Sequence, residues 1–123
     1  MNRMGLRWPT FVIAEVDGAV VGIGQVKTHG GGVSELASIA VVPGRQDEGI
    51  GSAIIKALLA REPDGVLYLT CRSTLQSYYE RFDFRVIEQR EYPGYYRRLL
   101  PLVNLIAGRF GLRILLMRRD SVG

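Results

Sequence analysis

A turn between a predicted strand and a predicted helix has the clearest capacity for chemistry in this sequence. It runs from Val41 to Ser52 and reads VVPGRQDEGIGS. The first amides of a helix have no intrahelical partner and the helix dipole adds positive charge there, so such a turn can bind an anion. Gly49 and Gly51 would let a phosphate approach the backbone where a β-carbon would collide. The segment therefore predicts an anion site, and a tight turn with helix-capping glycines is the alternative interpretation.

Two common nucleotide-binding motifs are excluded at this turn. Gly44-x4-Gly49 fits the first half of a P-loop, but an isoleucine and a glycine follow where that loop needs Lys-Ser/Thr. No G-x-G-x-x-G follows a predicted strand, which excludes the dinucleotide fingerprint. Asp47 and Glu48 are unusual beside an anion, but on a first helical turn they favour the helix dipole and can point to solvent.

The spacing of residues around this turn resembles that of a known family. Gln46-x-x-Gly49-x-Gly51 matches the Q/R-x-x-G-x-G/A pattern of the GNAT superfamily of acetyl-CoA-dependent N-acetyltransferases, three residues after Pro43. The preceding Ile39-Ala40-Val41 resembles the family's strand whose backbone receives the acetyl-pantetheine arm. Residues 78–84, YYERFDF, are similar to the family's signature at the next helix. The resemblance covers about residues 10–84 and implies one acetyltransferase-like domain over residues 1–123.

The resemblance implies direct transfer of an acetyl group from acetyl-CoA, as co-substrate, to an amine, without a metal. It places the pyrophosphate on the helix-start amides and the thioester carbonyl on the backbone N–H of Val41. Tyr79 would be the general acid, because a phenol with a pKa of about 10 can protonate a thiolate of similar basicity. Tyr78 is expected to be structural. The cofactor-binding residues implied are Ile39, Ala40, Val41, Gln46, Asp47, Glu48, Gly49, Ile50, Gly51 and Ser52.

Three other side chains are of types that can take part in catalysis. Glu35 is the candidate general base, because strand alternation puts it on the same face as Ile39 and Val41; a surface acid at a strand start is the alternative. His29, the only histidine, falls in a glycine-rich segment and is predicted to be a mobile surface residue. Cys71 ends an apolar strand and is predicted to be a small buried hydrophobic residue.

Composition limits the remaining classes of protein and of partner. The chain has 123 residues, of which 47% are hydrophobic, and one cysteine, which excludes an internal disulfide and a cysteine zinc cage. No apolar run has the roughly 18 residues of a membrane span, and the N-terminus has no signal-peptide pattern, so a cytoplasmic protein is expected.

The last third of the chain is basic. Residues 81–123 carry 9 arginines against 4 acids. This charge fits an anionic ligand, a membrane surface or a solvated surface; without a nucleic-acid-binding signature, nucleic acid is not the predicted partner.

The elements that must position these residues follow a β-β-β-α-β-α-β-α-β order. Asp17-Gly18 predicts a hairpin turn, and Gly22 and Gly24 predict a bulge or a close backbone approach. The predicted fold is α/β (α+β), a GNAT-like mixed, mostly antiparallel central sheet flanked by helices, with an extra helix between the last two strands. Strands are predicted over 10–16, 19–27, 35–42, 66–71, 84–89 and 112–118, and helices over 49–60, 74–82 and 94–110.

Two departures from the family affect the acceptor side. The chain is expected to start at the hairpin, without the family's first strand and first two helices. The helical segment 92–111 has three open interpretations: a wall of the acceptor site, a homodimer contact or an amphipathic surface anchor. A further departure, away from the acceptor side, is Asp83, which replaces the family's usual glycine and must adopt a left-handed backbone.

The predicted function is acetylation of a small amine or amino acid. A non-catalytic acyl-CoA-binding module is the alternative.

Overall fold

A computed structural model describes residues 2–5, 11–29, 32–46, 49–61 and 65–120. These ranges form a mixed α+β fold, which confirms the predicted class. The strands are β1 Asn2–Gly5, β2 Phe11–Val16, β3 Ala19–His29, β4 Val33–Val41, β5 Leu67–Arg72, β6 Arg85–Val86 and β7 Ile114–Arg119. The helices are α1 Ile50–Arg61, α2 Gln76–Glu80 and α3 Gly94–Gly108. No helix in the described part of the chain is long and apolar enough to cross a membrane.

The strands follow the order β1-β2-β3-β4-β5-β7-β6. β4 and β5 pair in parallel, whereas β1 with β2, β2 with β3, β5 with β7, and β6 with β7 are antiparallel. By its contacts the chain divides into two compact units, Met1–Lys27 with Leu36–Asp64 and Thr28–Glu35 with Gly65–Gly123. The expectation of one domain over residues 1–123 stays a prediction.

The first unit contains the hairpin and α1. Asp17 and Gly18 have φ of 51° and 83°, which confirms the predicted hairpin turn. A β-carbon on Gly24 would lie 2.5 Å from Cγ2 of Ile54, so α1 approaches β3 as closely as only glycine allows. The predicted close approach is therefore confirmed. It fixes the helix that begins at the candidate anion site, whose buried face consists of Ile50, Ile54, Ile55 and Leu58.

A strand precedes the hairpin, so the expectation that the chain starts at the hairpin is wrong. β1 pairs antiparallel with β2, from Asn2 opposite Val16 to Gly5 opposite Ile13. The sequence NRMG contains no β-branched or aromatic residue and gives no local strand signal. The strand exists through its backbone pairing with β2, which periodicity cannot detect.

The second unit is built around the face of β7 that α3 covers. Its core consists of Ile87, Tyr96, Leu100 and Leu116. The side chain of Asn104 fixes α3 to β7, since its Nδ2 donates to the carbonyl of Ile114 at 2.9 Å and its Oδ1 accepts from the Ile114 amide at 2.8 Å. The predicted extra helix between the last two strands is confirmed. The helix also exposes large apolar side chains, Leu99, Leu102, Leu105 and Ile106, and Phe110 just after the helix is exposed as well.

Several predicted boundaries differ from the structure, and two of these differences affect β3, β4 and β6. The strand predicted over 84–89 is limited to Arg85–Val86, because Glu88 begins a short 3₁₀ turn and its amide donates to the carboxylate of Glu91 at 3.2 Å. The glycine-rich loop predicted over 28–33 is shorter, since β3 continues to His29 and β4 begins at Val33. The second difference moves His29 from a loop into a strand.

Candidate functional site

The turn that follows β4 has a defined geometry. The amide of Arg45 donates to the carbonyl of Val42 at 3.1 Å, and Gly44 between them has φ of 90°. Proline at the second position and a positive-φ glycine at the third are the signature of a type II turn. The amide of Val42 donates to the carbonyl of Val21 at 2.8 Å. This bond anchors the end of β4 to β3 where the chain turns toward α1.

Gly49, the residue before α1, has a left-handed backbone that favours glycine. Its φ is 76°, and a β-carbon there would meet no atom within 4 Å in the part of the chain that the structure describes. The amide of Ala53 donates to the carbonyl of Gly49 at 3.1 Å, so the amides of Ile50 and Gly51 lie in the turn before the helical hydrogen bonds begin. The described helix has no acidic side chain in its first turn. Open space and aligned amides together suit an anion.

The remaining residues of the predicted cofactor set have distinct surroundings. Gln46 is exposed, Ile50 is buried and Ser52 is half-buried. Asp47 and Glu48 lie outside the described residues, so their predicted roles stay predictions. Ile50 is only 2% exposed. Its side chain therefore holds the start of α1 against the core while its amide belongs to the first turn.

β4 is distorted between Glu35 and the predicted acyl-arm segment. Ser38 has φ of 58°, and its hydroxyl donates to Oε1 of Gln25 at 2.9 Å. A left-handed residue interrupts the alternation of a strand. Ile39 accordingly packs toward α1, with its Cδ1 2.6 Å from where a β-carbon of Gly24 would lie. The expectation that Glu35 shares one face with Ile39 and Val41 by simple alternation is therefore not valid across Ser38.

Tyr79, the predicted acid, lies in an aromatic group on α2. Its ring makes edge contacts with Tyr78 at 5.2 Å and Phe84 at 6.3 Å between centroids. Burial raises the pKa of the Tyr79 phenol, with smaller contributions from Cys71 and Tyr78. None of the residues that the structure describes forms a hydrogen bond with its hydroxyl. The phenol therefore stays protonated at neutral pH and can donate to a ligand.

The chain after α2 turns in the way expected of the family signature. Asp83 has φ of 70°, which confirms the predicted left-handed backbone. The amides of Phe82 and Phe84 donate to the carbonyl of Tyr79 at 2.9 and 3.4 Å. Both phenylalanines are buried. This capped turn fixes the backbone of Tyr79 itself.

Glu35 is the centre of a polar cluster in the second unit. Its Oε1 lies 2.7 Å from Nε2 of His29 and accepts a 2.8 Å hydrogen bond from the hydroxyl of Tyr96. The side chains of His29 and Glu35 are 17% and 15% exposed, so His29 is not a mobile surface residue and that prediction is wrong. Burial and the bond to Glu35 raise the pKa of Tyr96.

Tyr96 is the member of this cluster that sequence reasoning missed. The spacing of Tyr96, Leu100 and Ala107 places them on one face of α3, and all three are buried. That pattern could have identified Tyr96 as inward-facing. Its partner, however, is 61 positions away in the sequence, and no local pattern links the two.

The remaining expectations concern Cys71 and metals. Cys71 is 8% exposed, its sulfur contacts the sulfur of Met117 at 3.8 Å, and burial raises its pKa. The prediction of a small buried hydrophobic residue is confirmed. Across the described ranges, no group of three or more His, Cys, Asp or Glu side chains is arranged to hold a metal ion.

Several arginines of the basic last third have acidic neighbours. Nε of Arg118 lies 2.9 Å from Asp120, and Nε of Arg90 lies 2.8 Å from Glu88. Arg118 and Asp120 also line a cavity of about 620 Å³ whose wall includes Val33, two residues before Glu35 on β4, and Tyr68, the residue that pairs with Glu35 on β5. A cavity of this volume suits a small molecule.

Comparison with known proteins agrees with this geometry. A family model described as an acetyltransferase (GNAT) domain matches residues 7–86. A search of curated proteins finds no match. N-acetylglutamate synthase from Neisseria gonorrhoeae, complexed with coenzyme A and N-acetyl-glutamate, is 24% identical with a TM-score of 0.66; the match covers 89% of this chain and 25% of that one.

Two further solved structures cover most of both chains. Rv2747 from Mycobacterium tuberculosis, in complex with CoA, is 23% identical with a TM-score of 0.67, over 92% of this chain and 76% of that one. Ard1 from Thermoplasma volcanium is 20% identical with a TM-score of 0.65, over 94% and 74%. The chain spans about a quarter of the length of the synthase. These structures show the shared fold, and since the family model matches more than half of the sequence, the chain belongs to the GNAT acetyltransferase family.

Proposed function

We propose that this chain is an N-acetyltransferase that moves an acetyl group from acetyl-CoA directly to the primary amine of a small molecule or amino acid. The observation that carries the proposal is the turn into α1. There, Gly49 has φ of 76° with open space around it, inside the segment that matches the family model. Two of the similar structures contain coenzyme A, which supports the same co-substrate here.

The proposed cofactor site uses backbone more than side chains. The pyrophosphate would lie on amides from Gln46 to Ser52, where helix-start N–H groups and the helix dipole attract it. The acyl arm would follow the backbone of Ile39 to Val41, with the amide of Val41 on the thioester carbonyl. The left-handed backbone of Ser38 supports this role, because a distorted strand can present backbone groups to a ligand.

The proposed transfer needs one acid and one base. The amine attacks the thioester carbonyl, and the tetrahedral intermediate then expels the CoA thiolate. Tyr79 would protonate that thiolate, and its raised pKa keeps the phenol in the donating form at neutral pH. Glu35 would accept a proton from the incoming ammonium group. A cluster of partners around Glu35 and a cavity beside its strand support its place on the acceptor side.

A thiol-release assay tests the proposal. Acetyl-CoA is mixed with a panel of amines and amino acids, free CoA is measured continuously, and the acetylated product is identified by mass spectrometry. Tyr79→Phe is expected to lower kcat by about 100-fold, the range for one general acid, and to keep acetyl-CoA binding. Tyr78→Phe removes a hydroxyl from the adjacent ring and is the matched control, expected to retain wild-type kcat.

Three results separate the alternatives. Binding of acetyl-CoA without thiol release for any acceptor would support the non-catalytic acyl-CoA-binding module instead. Wild-type turnover in Tyr79→Phe would refute the assignment of the acid. Absence of acetyl-CoA binding would refute the proposed function.

A homodimer and a cytoplasmic location stay predictions. The exposed apolar side chains of α3 are compatible with either a homodimer contact or a surface anchor.

A further inference from the structure

We infer that Tyr96 and His29 are positioning residues that hold Glu35 through its Oε1 and leave Oε2 to receive the proton of the acceptor amine. The inference rests on the proposed function, which assigns the base to Glu35. It gives the extra helix α3 a direct part in the reaction, since Tyr96 belongs to α3. All the residues involved lie in the second unit.

The contacts on Glu35 are unevenly distributed between its two oxygens. The hydroxyl of Tyr96 donates to Oε1 at 2.8 Å, and Nε2 of His29 lies 2.7 Å from the same atom. Both bonds that described residues make with this carboxylate are therefore on Oε1. An ionised carboxylate only accepts hydrogen bonds, so His29 must carry its proton on Nε2 to make this contact.

Both partners are themselves held in place. Tyr96 is 1% exposed and packs in the core with Leu100 and Leu116. The ring of His29 stacks on Tyr95 with centroids 4.0 Å apart and an interplanar angle of 12°. Tyr95 of α3 thus holds His29, and the next residue of the helix, Tyr96, bonds Glu35 directly. A side chain held at one oxygen by a buried tyrosine and a half-buried histidine has little freedom to rotate away from a substrate.

The proton inventory of the reaction is consistent with this arrangement. An ammonium acceptor loses two protons when it becomes an amide. One passes to Oε2 of Glu35, which makes the amine nucleophilic, and later leaves to solvent. The other is lost from nitrogen after the N–C bond forms, and it replaces the proton that Tyr79 gives to the departing thiolate as the C–S bond breaks. Tyr96 and His29 keep their protons throughout.

Steady-state kinetics test the positioning role. Tyr96→Phe keeps the buried ring and removes only the hydroxyl, so we expect kcat to fall about 10- to 100-fold while KM for acetyl-CoA stays the same. Tyr78→Phe is again the matched control, with kcat expected within about twofold of wild type. For His29, glutamine retains a donor near the position of Nε2 and alanine does not. We expect His29→Gln to retain more of kcat than His29→Ala.

A spectroscopic readout tests the cluster without turnover. His29 is the only histidine, so its ring nitrogens give a single set of signals in ¹⁵N-labelled protein. We expect the Nε2–H tautomer in the wild type and altered ring shifts in both Glu35→Gln and Tyr96→Phe. The Nδ1–H tautomer, or ring shifts indifferent to Glu35→Gln, would overturn the inferred arrangement.

The outcomes distinguish this inference from the proposed function. If Glu35→Gln has low kcat and Tyr96→Phe has wild-type kcat, Glu35 is the base and the positioning role is refuted. If Glu35→Gln itself turns over normally, the assignment of the base fails and the positioning role fails with it. If both variants lose kcat, KM for acetyl-CoA is unchanged and Tyr78→Phe is unaffected, the inference is supported.

Discussion

Replacing Gly24 with alanine tests the packing that fixes α1. A β-carbon there would lie 2.5 Å from Cγ2 of Ile54, 2.6 Å from Cδ1 of Ile39 and 3.0 Å from Cδ1 of Leu58. Ile54 and Leu58 are 0% exposed, so neither side chain can move into solvent. Gly22 lies two residues earlier on the same strand face, and a β-carbon there would lie 2.8 Å from Cδ1 of Ile54. The added methyl group therefore has to displace α1 or β4.

The magnitude follows from two opposing effects. Overpacking of a filled core costs about 1–3 kcal/mol, and three simultaneous close contacts place this site in the upper half of that range. Replacing glycine lowers the entropy of the unfolded chain and returns up to about 1 kcal/mol. The net expectation is a loss of about 2 kcal/mol in the free energy of unfolding, which corresponds to a fall of about 8 °C in Tm for a chain of this size.

Urea unfolding followed by circular dichroism measures the effect. Gly108→Ala is the matched control, because a β-carbon at Gly108 meets no atom within 4 Å and the residue is helical. That variant should be unchanged or stabilised by up to about 1 kcal/mol. If Gly24→Ala were as stable as the wild type, the close approach of α1 to β3 would be refuted. The start of α1 would then not be fixed as described.

Three further predictions concern single residues. Because the pKa of Tyr96 is raised, above about pH 10 the unfolded chain loses the phenol proton while the folded chain keeps it. The free energy of unfolding is therefore constant below about pH 10 with respect to this group and falls as the pH rises further. Urea titrations should show a shallower fall for Tyr96→Phe, and an identical slope would show that Tyr96 does not cause the pH dependence. Because Cys71 is buried with a raised pKa, its alkylation should be at least about tenfold slower in native protein than in urea, and equal rates would show an accessible thiol. Asp83 has φ of 70°, so Asp83→Gly should stabilise the chain by up to about 1 kcal/mol and Asp83→Ala should destabilise it, with the reverse order contradicting the left-handed turn.

Local signals in the sequence predicted the elements that depend on local chemistry. The hairpin follows from Asp17-Gly18, because few other residue pairs accept positive φ at both positions. The glycines at 22 and 24 predict a bulge or a close approach, and both are found: the pairing of β2 with β3 shifts register between Ala14 and Glu15, and α1 lies close to β3. The start of α1 near Gly49 follows from apolar residues at helical spacing, and Gly49, one residue before the helix, has φ of 76°.

Features that depend on distant pairing were beyond these signals. β1 has no strand propensity of its own and exists because β2 offers a free edge to pair with. The cluster at Glu35 joins residues from β3, β4 and α3, and the two partners of Glu35 are 6 and 61 positions away in the sequence. The distortion at Ser38 has no glycine to mark it. Each of these arises from tertiary contacts, which a single sequence does not encode in its periodicity.

The central claim is that the turn into α1 binds the pyrophosphate of acetyl-CoA, and a calorimetric titration with acetyl-CoA tests it most directly. Gly49→Glu adds a charged side chain at φ of 76°, and Gly111→Glu adds the same side chain at φ of 72° in the second unit, so the two variants carry matched strain and charge. We predict one-to-one binding by the wild type and Gly111→Glu, and loss of binding by Gly49→Glu. Equal affinity for all three proteins would contradict the claim.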